Sequence, residues 1–531
     1  MMFVSFGLIV ALLVIVGFIA VFSILDKYGF LERYSLEMSG PFLMWKTEKG
    51  KKLIDRISEK KDFWKNYGSL GIVIVVISMV IILFLVVWSA ILASSIPKES
   101  APSPRMVLGI PGINPLIPIW YGILGLAVAI IIHEFSHGIL ARVADIKIKT
   151  LGLIFLVVPM GAFVEPDEEE MQELSKMKRD RIYAVGPTSN VLLAVVLALI
   201  FSTLFMGSVS PKQDGLVING IYEGSPADIS GMDVGAEVIS IGGTRIRDFD
   251  ELLEIEMEPG EEVEVVTTDG DVENSYYSAA GLSITDLVEG YPADDAGLEE
   301  GDLIYGLDDT VIRNYHGFDE TLEDTSPSIP LNISYFRYED GEYNRYNTSI
   351  VLKDKYESYE ELYPGANKKE FKGQGYMGVS VSYMGLSVWD VEFVPNLMAH
   401  PYKDAETAND YFMSSLRYIS IPFLKLSPMS DDMENLYQVN GPLAALPDDA
   451  FWMISNSLYW IFWLNLMVGL FNALPAVPLD GGFIFKDGIT SLAEKFNLKE
   501  DKKEIFVHGF TYLIALTILA MLLWQLIGPR I

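Results

Sequence analysis

The chain has 531 residues, half of them apolar, and a formal net charge of −32 from 71 Asp+Glu against 39 Lys+Arg. It contains no cysteine, which excludes disulfides and thiolate metal sites. Residues 211–392 hold 40 Asp+Glu against 11 Lys+Arg, a difference of −29 that accounts for nearly the whole excess, and so acidic a segment argues against nucleic acid as a partner.

Apolar runs near the roughly 20 residues that cross a bilayer predict six spans, at 1–25, 69–95, 119–143, 182–206, 451–474 and 505–527. The first lacks a basic leader and a small-residue cleavage site, and reads as a retained anchor. The loop 26–68 carries ten Lys/Arg, the loop 144–181 six and the segment 475–504 five. By the positive-inside rule these three lie on the cytosolic face and the acidic region outside. "LGLIFLVVPMGAFVE" (151–165) is too short to span and is split by Pro159. It predicts a hairpin dipping into the membrane, where only protein or a watery cavity can cover its backbone. "YISIPFLKLSPM" (418–429) is expected in the outer interface.

The outer region repeats itself at an offset of 66 without a gap. "GLVINGIYEGSPADISGMDVGAEVISIGGTRI" starts at Gly215 and "GLSITDLVEGYPADDAGLEEGDLIYGLDDTVI" at Gly281. Each copy predicts a strand, a Gly-x-Pro-Ala turn opening a short helix, and a second strand ending on glycine. The pattern resembles the PDZ domains of membrane and periplasmic proteases, here at 211–279 and 280–355, followed by an interfacial connection at 356–450. PDZ domains bind extended peptides or chain ends by strand addition, so a peptide or chain-end partner is expected of the pair.

The third span contains "AIIIHEFSHGILA" (129–141). At 100° per residue His133 and His137 share one helix face, about 40° apart, with Glu134 beside them. Two imidazoles at i and i+4 suit one Zn²⁺, with the intervening glutamate next to a bound water. His133 precedes Arg142 by nine residues, about 13 Å of helix, which sets the motif inside the bilayer nearer the cytosolic face. Ionisable groups there are costly and mark function. A third ligand is needed. Glu165, in the acidic run "VEPDEEE" (164–170), is one candidate. Asp480, in "FNALPAVPLDGG" (471–482), is favoured: Pro475 and Pro478 forbid a regular helix, and the unwound chain can turn a carboxylate back toward the bundle.

HEFSH in one span, Asn472, Pro475, Leu479, Asp480 and Gly481 in a later one, and Gly186, Pro187 and Asn190 between them resemble the site-2 protease family of intramembrane zinc metalloproteases. The resemblance covers roughly 119–206 and 451–485. It implies an α-helical membrane bundle with two extracytoplasmic α+β PDZ-like domains. It also implies one zinc on His133, His137 and Asp480, Glu134 as acid and base, and cleavage of transmembrane protein substrates within the lipid bilayer. Asn472 would bond the substrate backbone or the oxyanion, or else make an ordinary helix–helix hydrogen bond, and Asn190 is read as structural. The expected location is the plasma membrane of an archaeon or bacterium. Rival readings are a membrane-anchored gluzincin-like protease that takes Glu165 or Glu168 as third ligand at the cytosolic surface, and a non-catalytic PDZ scaffold.

Overall fold

The computed structural model describes residues 6–530 apart from 94–95, 97–102, 108, 110, 157, 213–214, 271, 363–367, 425, 428, 430 and 497–498. Parts of the spans expected at 1–25 and 69–95, and of the interfacial stretch 418–429, lie outside the described residues. The chain divides into two compact units, one of residues 1–201 with 453–531 and the other of residues 202–452.

The first unit is built on long apolar helices: α1 (Phe6–Lys27), α3 (Lys61–Leu92), α4 (Ile119–Val143), α5 (Lys176–Leu199), α6 (Asp448–Asn472) and α8 (Glu500–Ile527), with the shorter α2 (Lys51–Ser58) and α7 (Asp480–Lys495). Among the described residues, five helices are long and apolar enough to cross a membrane: α3, α4, α5 with its extension to Ser208, α6, and α8 with its extension to Arg530. Helix α3 starts at Lys61 rather than near 69 because "KDFWKNYG" is helix-competent but too polar to register as a span. Side chains outside the bundle are apolar, as Val73, Val76, Ile77 and Val80 on α3 show, while small and hydroxylated residues line the helix contacts. Thr188 donates to Gly71 O at 3.2 Å, and Ser189 Oγ lies 2.8 Å from Ser136 Oγ and 3.0 Å from Tyr67 OH. Such contacts let apolar helices associate without a hydrophobic driving force.

The segment expected to be a hairpin is β3 (Ile148–Leu156) and β4 (Val158–Pro166), joined to an unanticipated pair, β1 (Leu36–Ser39) and β2 (Phe42–Thr47), in one antiparallel sheet of order β1-β2-β3-β4. Strand β4 is therefore a sheet edge, and it packs against α4.

The second unit holds the two repeats. The first supplies β5 (Leu216–Ile221), β6 (Glu237–Ile241), β7 (Glu262–Thr268) and β8 (Glu273–Ala279), and the second β9 (Leu282–Leu287), β10 (Leu303–Leu307), β11 (Pro330–Glu339) and β12 (Glu342–Val351). Two later strands, β13 (Val379–Tyr383) and β14 (Leu386–Asp390), complete the sheets, in orders β8-β7-β6-β5-β14 and β12-β11-β10-β9-β13. They belong to a second repeat, of offset seven: "YMGVSV" from Tyr376 and "YMGLSV" from Tyr383. The equivalence extends to single bonds. Ala227 N–H donates to Met384 O and Ala293 N–H to Met377 O, at 2.9 and 3.0 Å. Tyr222 N–H donates to Gly385 O and Val288 N–H to Gly378 O, at 3.1 and 2.9 Å. One core runs through both repeats, from Leu216 and Ile218 to Ile304, Ile333 and Leu386.

Candidate metal centre

Helix α4 carries His133, Glu134 and His137 through its buried stretch. Helix α6 ends at Asn472, the chain to Leu479 is non-helical, and Asp480 opens α7. Proline at 475 and 478 accounts for the break, and a carboxylate in the first turn of a helix is favoured by the backbone dipole. Close approach of this bend needs Gly481 and Gly482, since a methyl group at either would overlap the backbone at Ala473 or Ala476.

The structure brings three predicted ligands together. His133 Nε2 and His137 Nε2 are 3.1 Å apart, and Asp480 Oδ2 lies 3.1 Å from the first and 3.3 Å from the second. His137 Nδ1 is 2.7 Å from Ile182 O, so it donates there and leaves Nε2 as an acceptor facing the aspartate. Asp480 Oδ2 is buried and, among the described residues, has no hydrogen-bond donor. Converging acceptors shut away from water require a cation. Ligands at 2.0–2.1 Å from a tetrahedral zinc stand about 3.3 Å apart, close to all three separations, so the residues present fit a metal ion. Among the described residues this is the group of histidines and carboxylates that could hold one.

Glu134 is half-buried beside the trio, and Val164 N–H of β4 donates to its Oε2 at 3.3 Å. That bond turns this N–H away from β3, where Leu151 is the partner of Val164, and toward the free edge of the sheet, a direction that Ala162 N–H shares by the alternation of an antiparallel pair. Helix α5 closes the other side: a methyl group at Gly186 would overlap His137 Nε2 and stand 2.9 Å from His133 Nε2. Asn190, one turn further on and fully buried, places Nδ2 3.4 Å from His133 Nδ1. Sequence reasoning gave Asn190 only a packing role. No signal in the sequence reports this contact, because it depends on how α4 and α5 pack.

Two predicted residues lie elsewhere. Asn472 Nδ2 donates to Val468 O of its own helix at 3.0 Å and is not among the converging ligands. Glu165 accepts from Thr150 Oγ1 at 2.6 Å on the sheet and is likewise outside the trio, which removes the geometric basis for its use as third ligand.

Comparison with known proteins finds a family match that covers this region. The model of peptidase family M50 matches residues 121–516, which take in His133, Glu134, His137 and Asp480. An uncharacterised protein of Methanocaldococcus jannaschii is 32% identical over 188 residues, 35% of this chain and 48% of that protein, so the chain spans about half the length of that relative. The regulator of sigma E protease of Haemophilus influenzae is 20% identical over 462 residues, 75% of this chain and 96% of its own length. A putative zinc metalloprotease of Campylobacter jejuni is 24% identical over 159 residues, 24% of this chain and 42% of that protein.

Proposed function

The chain belongs to peptidase family M50, the site-2 protease family, and from that premise we propose that it is a zinc metalloendopeptidase that cuts other membrane proteins within or next to their membrane-spanning segments. The observation that carries this reading is the convergence of His133 and His137 from the apolar helix α4 with Asp480 from the first turn of α7, and Glu134 beside them. Zinc held by these three residues supplies a Lewis acid and a water acidic enough to ionise near neutral pH. Glu134 takes and returns the proton. Its Oε2 is occupied by Val164 N–H, and among the described residues no hydrogen bond is made to Oε1, which leaves that atom to hold it. A carboxylate so placed serves as base during attack and as acid toward the leaving amine.

A helical substrate exposes no free amide, and a segment unwound in lipid needs new partners for its backbone. The outer edge of β4 offers them alongside Glu134, by strand addition. The repeat pair offers sheet ends at β13 and β14 for extended peptides or chain ends, in keeping with the PDZ-like reading. The basic loops support a cytosolic placement for 26–68, 144–181 and 475–504, with the repeats across the membrane from them.

The test is metal analysis of the purified chain together with cleavage of a single-span model substrate in proteoliposomes. Glu134→Gln is expected to keep its zinc and lose at least 100-fold in cleavage, the lower range for one general acid–base group. Ala162→Pro, which removes an edge N–H without cutting a β3–β4 bond, is expected to keep zinc and slow cleavage. Absence of zinc from the wild type, or equal cleavage by wild type and Glu134→Gln, ends the peptidase reading; normal cleavage by Ala162→Pro ends only the strand-addition step.

A further inference from the structure

We infer that the cleft beside the Tyr183–Phe483 ring stack is a side-chain subsite that admits one large apolar residue of the segment being cut, an inference that rests on the peptidase reading. The cleft has a volume of about 690 Å³, with Met44, Phe163, Met171, Tyr183, Phe483 and Arg179 in its lining. That is within the roughly 300–1,000 Å³ of ligand clefts, enough for a bulky side chain and its flanking backbone.

Three of its walls stand next to the metal centre. Phe483 follows Asp480 by three residues on α7, about 4.5 Å of helix. Tyr183 precedes Gly186, which touches both imidazoles, by the same interval on α5. Phe163 adjoins Val164, whose N–H meets Glu134 and which itself lines the cleft. A strand laid along the free edge of β4 with its reacting carbonyl near Glu134 therefore turns a neighbouring side chain toward this cleft.

The chemistry of the lining selects what enters. The Tyr183 and Phe483 rings stack with centroids 4.7 Å apart at 15°, giving an aromatic wall. The two cations present already have anionic partners: Arg179 binds both oxygens of Asp487 at 2.6–2.9 Å and Lys46 pairs with Glu37, while Glu165 accepts from the neutral Thr150 hydroxyl and keeps its negative charge. No cation is left over to balance an acidic substrate side chain, whose desolvation without compensation is costly. A large apolar side chain gains the burial and asks for no partner.

The test begins by mapping the cut site of the single-span model substrate, then replacing each of the three residues on either side of it by Ala, Leu or Phe. At one position Leu or Phe is expected to raise kcat/KM over Ala by about 10–200-fold, the range a hydrophobic pocket distinguishes. Met171→Trp, which fills the cleft from the short helix Glu168–Gln172, is expected to abolish that preference, bringing the Leu and Phe substrates down to the kcat/KM of the Ala substrate. A photoreactive phenylalanine derivative at position 171 of the Glu134→Gln protein is expected to cross-link the same substrate position with no cleavage. If Met171→Trp slows all substrates equally, or none, or if the cross-linker captures only lipid, the cleft is not a subsite. Dependence of Ala-substrate cleavage on Glu134 is scored separately, so failure of the peptidase reading is distinguishable from failure of this inference.

Discussion

Asn190 is buried, and among the described residues its Oδ1 has no hydrogen-bond partner, while its Nδ2 faces His133 Nδ1 at 3.4 Å. The two ends of an amide are interchangeable in such assignments. With the ends exchanged, His133 Nδ1–H donates to Oδ1, the orphan oxygen is satisfied, and Nε2 is left as an acceptor for the metal. His137 reaches the same state through Ile182 O. Partners of this kind orient metal-binding imidazoles, and their loss weakens affinity about 10–100-fold. Asn190→Ala is therefore expected to lower zinc affinity by that factor, with Asn190→Asp, which keeps an acceptor, much closer to wild type. Competition against a chelator measures it, and an unchanged affinity in Asn190→Ala would refute the role. His133, Glu134 and His137 were legible because they occupy one helix, where spacing alone fixes geometry. Asn190 was not, because its distance from His133 depends on how α4 and α5 pack. Asn472 was singled out through its motif, and its Nδ2 donates to Val468 O of its own helix; spacing does not report a rotamer.

At the scale of elements, the decisive joint is the non-helical bend before α7. Nothing in a bend of this kind fixes Asp480 by itself, so its place beside the imidazoles is set by how α7 docks on α5. Ala473 and Ile484 pack with Ala184 and Val75 beneath the site. The polar fastening is the Arg179–Asp487 pair, with Lys176 reaching Glu494 at 2.6 Å. Asp487 is only 8% exposed, and removing one member of a buried pair costs about 3–5 kcal/mol, whereas replacing both by apolar residues is often neutral. Asp487→Leu alone is expected to destabilise by that amount and to lose zinc affinity; the Arg179→Leu/Asp487→Leu double variant is expected to recover most of both. Unfolding midpoints and zinc titration in detergent decide it, and a double variant worse than the single one would exclude docking as the cause. The broken helix was visible from Pro475 and Pro478, but its docking partner was not. Strands β1 and β2 were hidden too, because four to six residues each in a loop with ten basic residues give too short an alternation to stand out.

For the molecule as a whole, the 66-residue repeat was readable because it is long and gapless, while the seven-residue repeat that completes both sheets was not. Its two copies lie far along the chain from the sheets they join, so their pairing is a long-range fact. Tyr383 sits at that junction. It ends β13, its hydroxyl accepts from Tyr315 N–H of the second repeat at 2.8 Å, and it donates to Leu253 O of the first at 3.1 Å. Burial pushes its phenol up to about 12. A folded-state value above that of the unfolded chain gives stability that is complete below about pH 10 and is lost as pH rises through about 12, since the unfolded chain ionises first. Tyr383→Phe leaves Tyr315 N–H and Leu253 C=O without this partner, which costs about 1–3 kcal/mol, but it has no proton to lose. The variant is therefore expected to be less stable than wild type near neutral pH and to converge on it between about pH 10 and 12. Denaturant unfolding of the two full-length proteins at a series of pH values measures this. Curves that stay parallel to about pH 12 would show that the hydroxyl does not fasten the two repeats through its proton.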